Sequence, residues 1–116
     1  MTDLSATMAK LLGDRDRIIP ALDQAEKDYA KHSYITANLQ VDHDEANALA
    51  LVRYQNERKD ITKAKAFLAV KDAYRSLIVS KAMKAEAYTR VHSLTKQLDV
   101  ITSSMYALNS EIKAGL

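Results

Sequence analysis

Between His43 and Lys113 the chain has neither glycine nor proline, and elsewhere it holds only Gly13, Pro20 and Gly115. A sheet protein needs turn residues at short intervals, so this scarcity leaves helices as the regular structure the chain can build. Alanine, leucine, lysine, glutamine and glutamate, all strong helix formers, fill the space. The reading is all-α: about three long helices in a hairpin or bundle with heptad seams, forming one domain over residues 1–116.

The N-terminal part sets the first seam. Leu4, Met8, Leu11, Ile18, Leu22, Ala25 and Tyr29 fall at alternating spacings of three and four, with Arg15 as the one exception. Gly13 and Pro20 do not disturb that register, so a kinked helix from about Asp3 to Lys31 is predicted. It bends near Asp16, whose carbonyl finds no N–H on Pro20. The alternative is two helices, the second with Pro20 in its first turn. Next, Ile35, Ala37, Leu39 and Val41 alternate with polar residues, which reads as a short extended segment. Asp42 with Glu45 resembles a capping box, and Val41 with Ala46 the accompanying staple, so a new helix is expected from about His43.

One helix from His43 to Lys113 would exceed ~100 Å, too long for a compact monomer of this size. A reversal is therefore expected, either in "QNERKD" (55–60) or in "SKAMKAE" (80–86). The second, with Ser80 as a cap, divides the stretch into two helices of useful length and is the predicted boundary. In the last helix Ala87, Val91, Leu94, Leu98, Ile101, Met105, Leu108 and Ile112 keep the heptad for nearly four repeats. They form either the chain's own core or a seam shared with another subunit. Strict heptads exceed what a globular helix needs, so Val91, Leu94, Leu98, Ile101, Met105, Leu108 and Ile112 are the predicted seam of a homo-oligomer.

Little here resembles chemistry. The absence of cysteine removes disulfides, zinc-thiolate sites and thiol catalysis, and points to the cytoplasm. His32, His43 and His92 make no metalloprotease pair. "DHDE" (42–45) gathers three carboxylates and an imidazole that can hold a divalent cation weakly, but helix capping accounts for it more simply. With only two glycines there is no phosphate-cradling loop, and no serine sits on a sharp nucleophile turn. Neither catalysis, nor a cofactor, nor a metal is expected. "MTDLSATMAKLLGDRDR" lacks the basic and apolar regions of a signal peptide, and no apolar run is long enough for a membrane span.

The net charge of +2 hides an asymmetry. Residues 1–57 carry six basic and ten acidic groups (−4), residues 58–90 nine basic and three acidic (+6), and residues 91–116 balance. Tyr54, Phe67, Tyr74 and Tyr88 interleave with the basic segment. Single-stranded nucleic acid is held by such a combination, with cations on phosphates and rings on bases. The candidate contacts are Lys65, Lys71, Arg75, Lys81, Lys84 and Arg90, with Tyr74 and Tyr88 as stacking platforms. The plainer account is a solvated helix face with tyrosines at the core margin. On an ideal helix these basic residues do not all gather on one side.

"QLDVITSSMYALNSEI" (97–112) resembles the C-terminal helix of the recombination mediator proteins of tailed phages, through Leu98-Asp99, Ile101, Ser103, Tyr106, Ala107, Leu108 and Ile112. The opening "LLGDRDRIIPALDQAEKDYA" is similar in style to small helical proteins of phage early regions. The first resemblance implies a helical, oligomeric, non-enzymatic protein that binds single-stranded DNA and helps load a strand-exchange recombinase. It also implies the cytoplasm of a host cell. The residues leave two other classes open. One is a protein-binding adaptor or inhibitor, acting for example on a host defence or replication protein. The other is a structural coiled-coil component of a phage assembly.

Overall fold

The computed structural model describes residues 3–115, and the helices within them number two: α1 (Leu4–Arg53) and α2 (Lys59–Ala114). There is no strand among the described residues. No helix there is long and apolar enough to cross a membrane. Asp3 starts α1 as its cap: its Oδ1 accepts the Ala6 N–H at 3.1 Å, satisfying one donor that the first turn leaves orphaned.

Three expected boundaries are absent. Residues 35–41 are helical, not extended, and Asp42 and Glu45 lie inside α1 rather than capping a new helix. The cause is a seam longer than its apolar part. The inward positions continue past Tyr29 through His32, Thr36, Leu39, His43, Ala46 and Ala50 at the same three–four spacing, all buried or half-buried. Packing along that seam overrides the period-two pattern, and Ile35 and Val41 face outward at 37% and 55% exposure. Pro20 also sits within α1, on an exposed face. The helix count is therefore two rather than three.

The reversal falls at residues 54–58, in the stretch passed over above, and 80–86 is helix. Thr62 explains the choice. Its buried hydroxyl donates to the Tyr54 carbonyl (2.7 Å), which also accepts the Glu57 N–H (3.1 Å), and approaches the Glu57 carbonyl (3.2 Å), tying the turn to the first residues of α2. The Lys65 ammonium pairs with the Glu57 carboxylate, and lies 5.6 Å from the centre of the Tyr54 ring, with the Arg53 guanidinium at 5.5 Å. Asp60 places a carboxylate in the first turn of α2, where the helix dipole favours it. Ser80 is not a cap: its hydroxyl meets that of Thr36 at 2.6 Å inside the seam.

The chain divides into two compact units, Met1–Asp28 with Ala87–Leu116, and Tyr29–Glu86. In the second, called unit 2, the end of α1 and the start of α2 form a hairpin around Ala50, Ala66 and Val70, with Ala46 against them. Ala66 is 1% exposed. Such small side chains contribute only about 0.8 kcal/mol per buried carbon, but they let two backbones approach closely. Further from the turn, Leu77 is buried and the Thr36–Ser80 pair fills the next layer. In the other, unit 1, the start of α1 meets the end of α2 through Ile18, Ala25, Ile101 and Leu108, each under 9% exposed.

The predicted seam Val91, Leu94, Leu98, Ile101, Met105, Leu108 and Ile112 is half-buried or buried throughout. Within unit 1, Ile101 shares a hollow with Ile18, and Met105 shares another with Met8 and Arg15. Arg15, the exception in the apolar series, sits half-buried there, and its Nε has no hydrogen-bond partner.

Candidate nucleic-acid interface

All eight predicted nucleic-acid contacts lie on α2, but they do not form one group. Lys65 is tied into the turn by Glu57 and Tyr54. Lys84 occupies a half-buried seam position. Arg75 is exposed four residues after Lys71 on the solvent side of α2, and it lines a groove with Lys31. Tyr88 and Arg90 belong to unit 1, where the Tyr88 ring stacks on His92, with centres 6.2 Å apart and planes 7° from parallel.

Lys71, Tyr74 and Lys81 do come together. With Phe67 and Ile78 they repeat the three–four spacing one position after the seam residues Ala66, Val70, Ala73, Leu77 and Ser80. They therefore form a second stripe beside the first. Phe67 is 55% exposed, Tyr74 41% and Ile78 46%. Tyr74 is held rather than loose: its ring meets Phe67 edge-on at 6.1 Å and His43 at a tilt at 5.7 Å. Along the axis Lys71 lies about 4.5 Å to one side of Tyr74 and Lys81 about 10 Å to the other. Neither lysine has an ion pair among the described residues.

Sequence reasoning named Phe67 among the interleaved aromatics without making it a contact, and missed Ile78 and His43 as members of this surface. The signal was present, since 67, 71, 74, 78 and 81 share the heptad spacing, but lysines in two of five places hide it from an apolar count. His43 was read as part of a cation cluster. In the structure its ring turns inward, half-buried, with Nδ1 3.3 Å from Asp44. No three potential ligands converge to hold a metal among the described residues.

The other flank of unit 2 carries a groove of about 560 Å³, with Ile35, Leu39, Val79 and Met83 as its apolar part and Lys31 and Arg75 among its polar lining. Unit 2 as a whole leaves large apolar side chains in solvent on both helices, among them Tyr34 (70%), Leu49 (72%), Val52 (61%) and Leu68 (62%). No family model, no curated protein and no solved structure matches the chain.

Proposed function

We propose that the chain is a non-enzymatic helical binding protein that engages single-stranded nucleic acid through unit 2 and acts as an oligomer. The observation that carries the reading is the stripe Phe67, Lys71, Tyr74, Ile78 and Lys81. It sets two unpaired ammonium groups on either side of a partly exposed, laterally supported ring. Ammonium groups neutralise phosphates without reading sequence, and an aromatic face accepts any base. Residues 97–112, with their resemblance to the recombination mediators of tailed phages, agree with a role in handling single strands in a host cytoplasm.

The test is titration of a labelled 30-nucleotide single strand by fluorescence anisotropy at several salt concentrations. Lys71→Ala with Lys81→Ala should weaken binding to every sequence about equally. It should also flatten the log-log salt dependence by about 1.4, because each single-strand phosphate contact contributes about 0.7. Tyr74→Ala should cost ~1–3 kcal/mol of binding with little change in slope. A wild-type protein that leaves the strand unbound at low salt overturns the reading.

A second reading is favoured by a different observation, the exposed Leu49, Val52 and Leu68 near the turn of unit 2. These fit a protein-binding adaptor, inhibitor or assembly component, in which a partner helix covers the apolar side chains. A protein that fails the single-strand test and holds a helical partner through these residues is of that kind.

A further inference from the structure

We infer that the hollow of unit 1 between Met8 and Arg15 of α1 and Met105 of α2 is a binding site for a small aryl carboxylate. The carboxylate lies on the Arg15 guanidinium and the ring between the two methionines. This hollow belongs to unit 1 and the lysine–tyrosine stripe to unit 2, so the inference stands apart from the nucleic-acid reading.

The fold leaves one donor here without a partner. Arg15 holds the place in the apolar series of α1 where a hydrophobic residue is due, and its Nε is buried with no hydrogen bond. Buried polar atoms of that kind are few in folded proteins, and each calls for an explanation. The carboxylate of Asp16 stops at 3.8 Å from Nε and is 73% exposed. As the next residue along the helix it points about 100° away from Arg15, and it does not line the hollow. Because Nε is already out of water in the free protein, an arriving carboxylate gains a charge-assisted hydrogen bond without desolvating that donor. The Arg15 side chain as a whole is 39% exposed, so the rest of the guanidinium is reachable from solvent.

The lining selects the class of ligand. The Nε edge of a guanidinium presents two parallel N–H groups in one plane, the geometry that the two oxygens of a carboxylate match. Arg15 is the one charged residue of the lining, beside Met8, Met105, Thr102, Tyr106 and Asn109, so no lining acid opposes an anion. Methionine sulfur makes favourable contacts with aromatic rings, and its unbranched chain adapts to their shape. Met8 and Met105 therefore favour a flat ring as the body of the ligand. The hollow measures about 250 Å³. A cavity of about 150 Å³ accommodates benzene, so there is room for a ring with its carboxylate. Sites for drug-sized ligands run from about 300 Å³ upward, so the occupant is smaller than those. Thr102 and Asn109, both exposed at the rim, can hydrogen-bond one polar substituent on the ring.

Nuclear magnetic resonance titration of the full chain, read at the backbone amides with sodium benzoate as the probe, tests the inference. The shifts should saturate with a Kd of about 1 mM or tighter. They should centre on Met8, Arg15, Thr102, Met105, Tyr106 and Asn109. Benzamide keeps the ring and the shape without the charge, and acetate keeps the charge without the ring. Each should bind wild type at least about tenfold more weakly than benzoate. Arg15→Leu should lower benzoate affinity about tenfold or more. Arg15→Lys keeps the charge but not the planar edge, and should recover little of that loss. Circular dichroism reports that the helices of both variants persist, and the benzamide and acetate arms need no variant. Wild type without saturable shifts at about 10 mM benzoate overturns the inference. So do shifts centred on unit 2, benzamide binding as tightly as benzoate, or an Arg15→Leu protein that binds benzoate as wild type does.

Discussion

Thr36→Val tests whether the polar layer of unit 2 holds its two helices together. The hydroxyls of Thr36 and Ser80 are 2.6 Å apart, and both residues are 6% exposed. Valine has the shape of threonine, so the substitution leaves packing intact and orphans the Ser80 hydroxyl. A buried hydroxyl without a partner costs about 1–3 kcal/mol. Ser80 has one fallback, the carbonyl four residues back in its own helix, which recovers part of that loss. The expected destabilisation is therefore about 1–2 kcal/mol. Ser80→Ala alone should cost a similar amount, by orphaning Thr36. The double variant removes both polar groups and should lie near wild type. The cycle then yields a coupling of about 2–4 kcal/mol, the sum of the two single costs. Urea unfolding followed by the helical circular-dichroism signal measures it. With a slope of about 1–3 kcal/mol per molar, each single variant moves the midpoint down by roughly 0.3–2 M. If Thr36→Val unfolds at the wild-type midpoint, or the double variant is no better than the singles, the bond does not hold the layer and the reasoning fails.

Other positions give simpler expectations. Arg15→Leu should raise the thermal midpoint, by about 1 kcal/mol of stability, because it removes a buried N–H without a hydrogen bond and extends the apolar series of α1, while losing only a long, solvent-screened ion pair to Asp16 at 3.8 Å. Ala66→Leu, at a site 1% exposed, should destabilise by about 1–3 kcal/mol through overpacking of the closest approach in unit 2, measured by the same urea titration. Thr62→Val takes the donor away from the Tyr54 and Glu57 carbonyls and should cost about 1–2 kcal/mol. Hydrogen exchange should report faster opening of residues near the turn in that variant.

The helical class could be read from breaker scarcity alone, and the two apolar runs, Leu4–Tyr29 and Val91–Ile112, are the seam that the structure builds. What could not be read was the middle. His32, Thr36, His43 and Ser80 occupy seam positions with polar side chains, so an apolar pattern stops at them although the geometry does not. Their partners lie on the other helix, and local periodicity carries no information about a hydroxyl 44 residues away. The reversal failed for a related reason. Ser80 has the chemistry of a cap, while the residue that closes the true turn, Thr62, sits after it and bonds backward to Tyr54. In the candidate interface, Lys71, Tyr74 and Lys81 could be named from composition, but setting Lys65 apart required knowing that Glu57 and Tyr54 hold it in the turn.

The placement of the turn after Arg53 also fixes an order of events during synthesis. All 50 residues of α1 are made before any of α2 exists. At ordinary translation speeds of about 5–20 residues per second, that is roughly 3–10 s in which its inward face has nothing of its own chain to pack against. The first layer to close is the one beside the turn, where Ala50 meets Ala66, and each later layer then adds little loop-closure entropy. Unit 2 is complete before the second half of unit 1 leaves the ribosome. Leu4, Met8, Leu11 and Ile18, whose partners come from the last part of α2, wait longer for cover than the inward residues of unit 2, and they are where a nascent-chain chaperone would find its binding site.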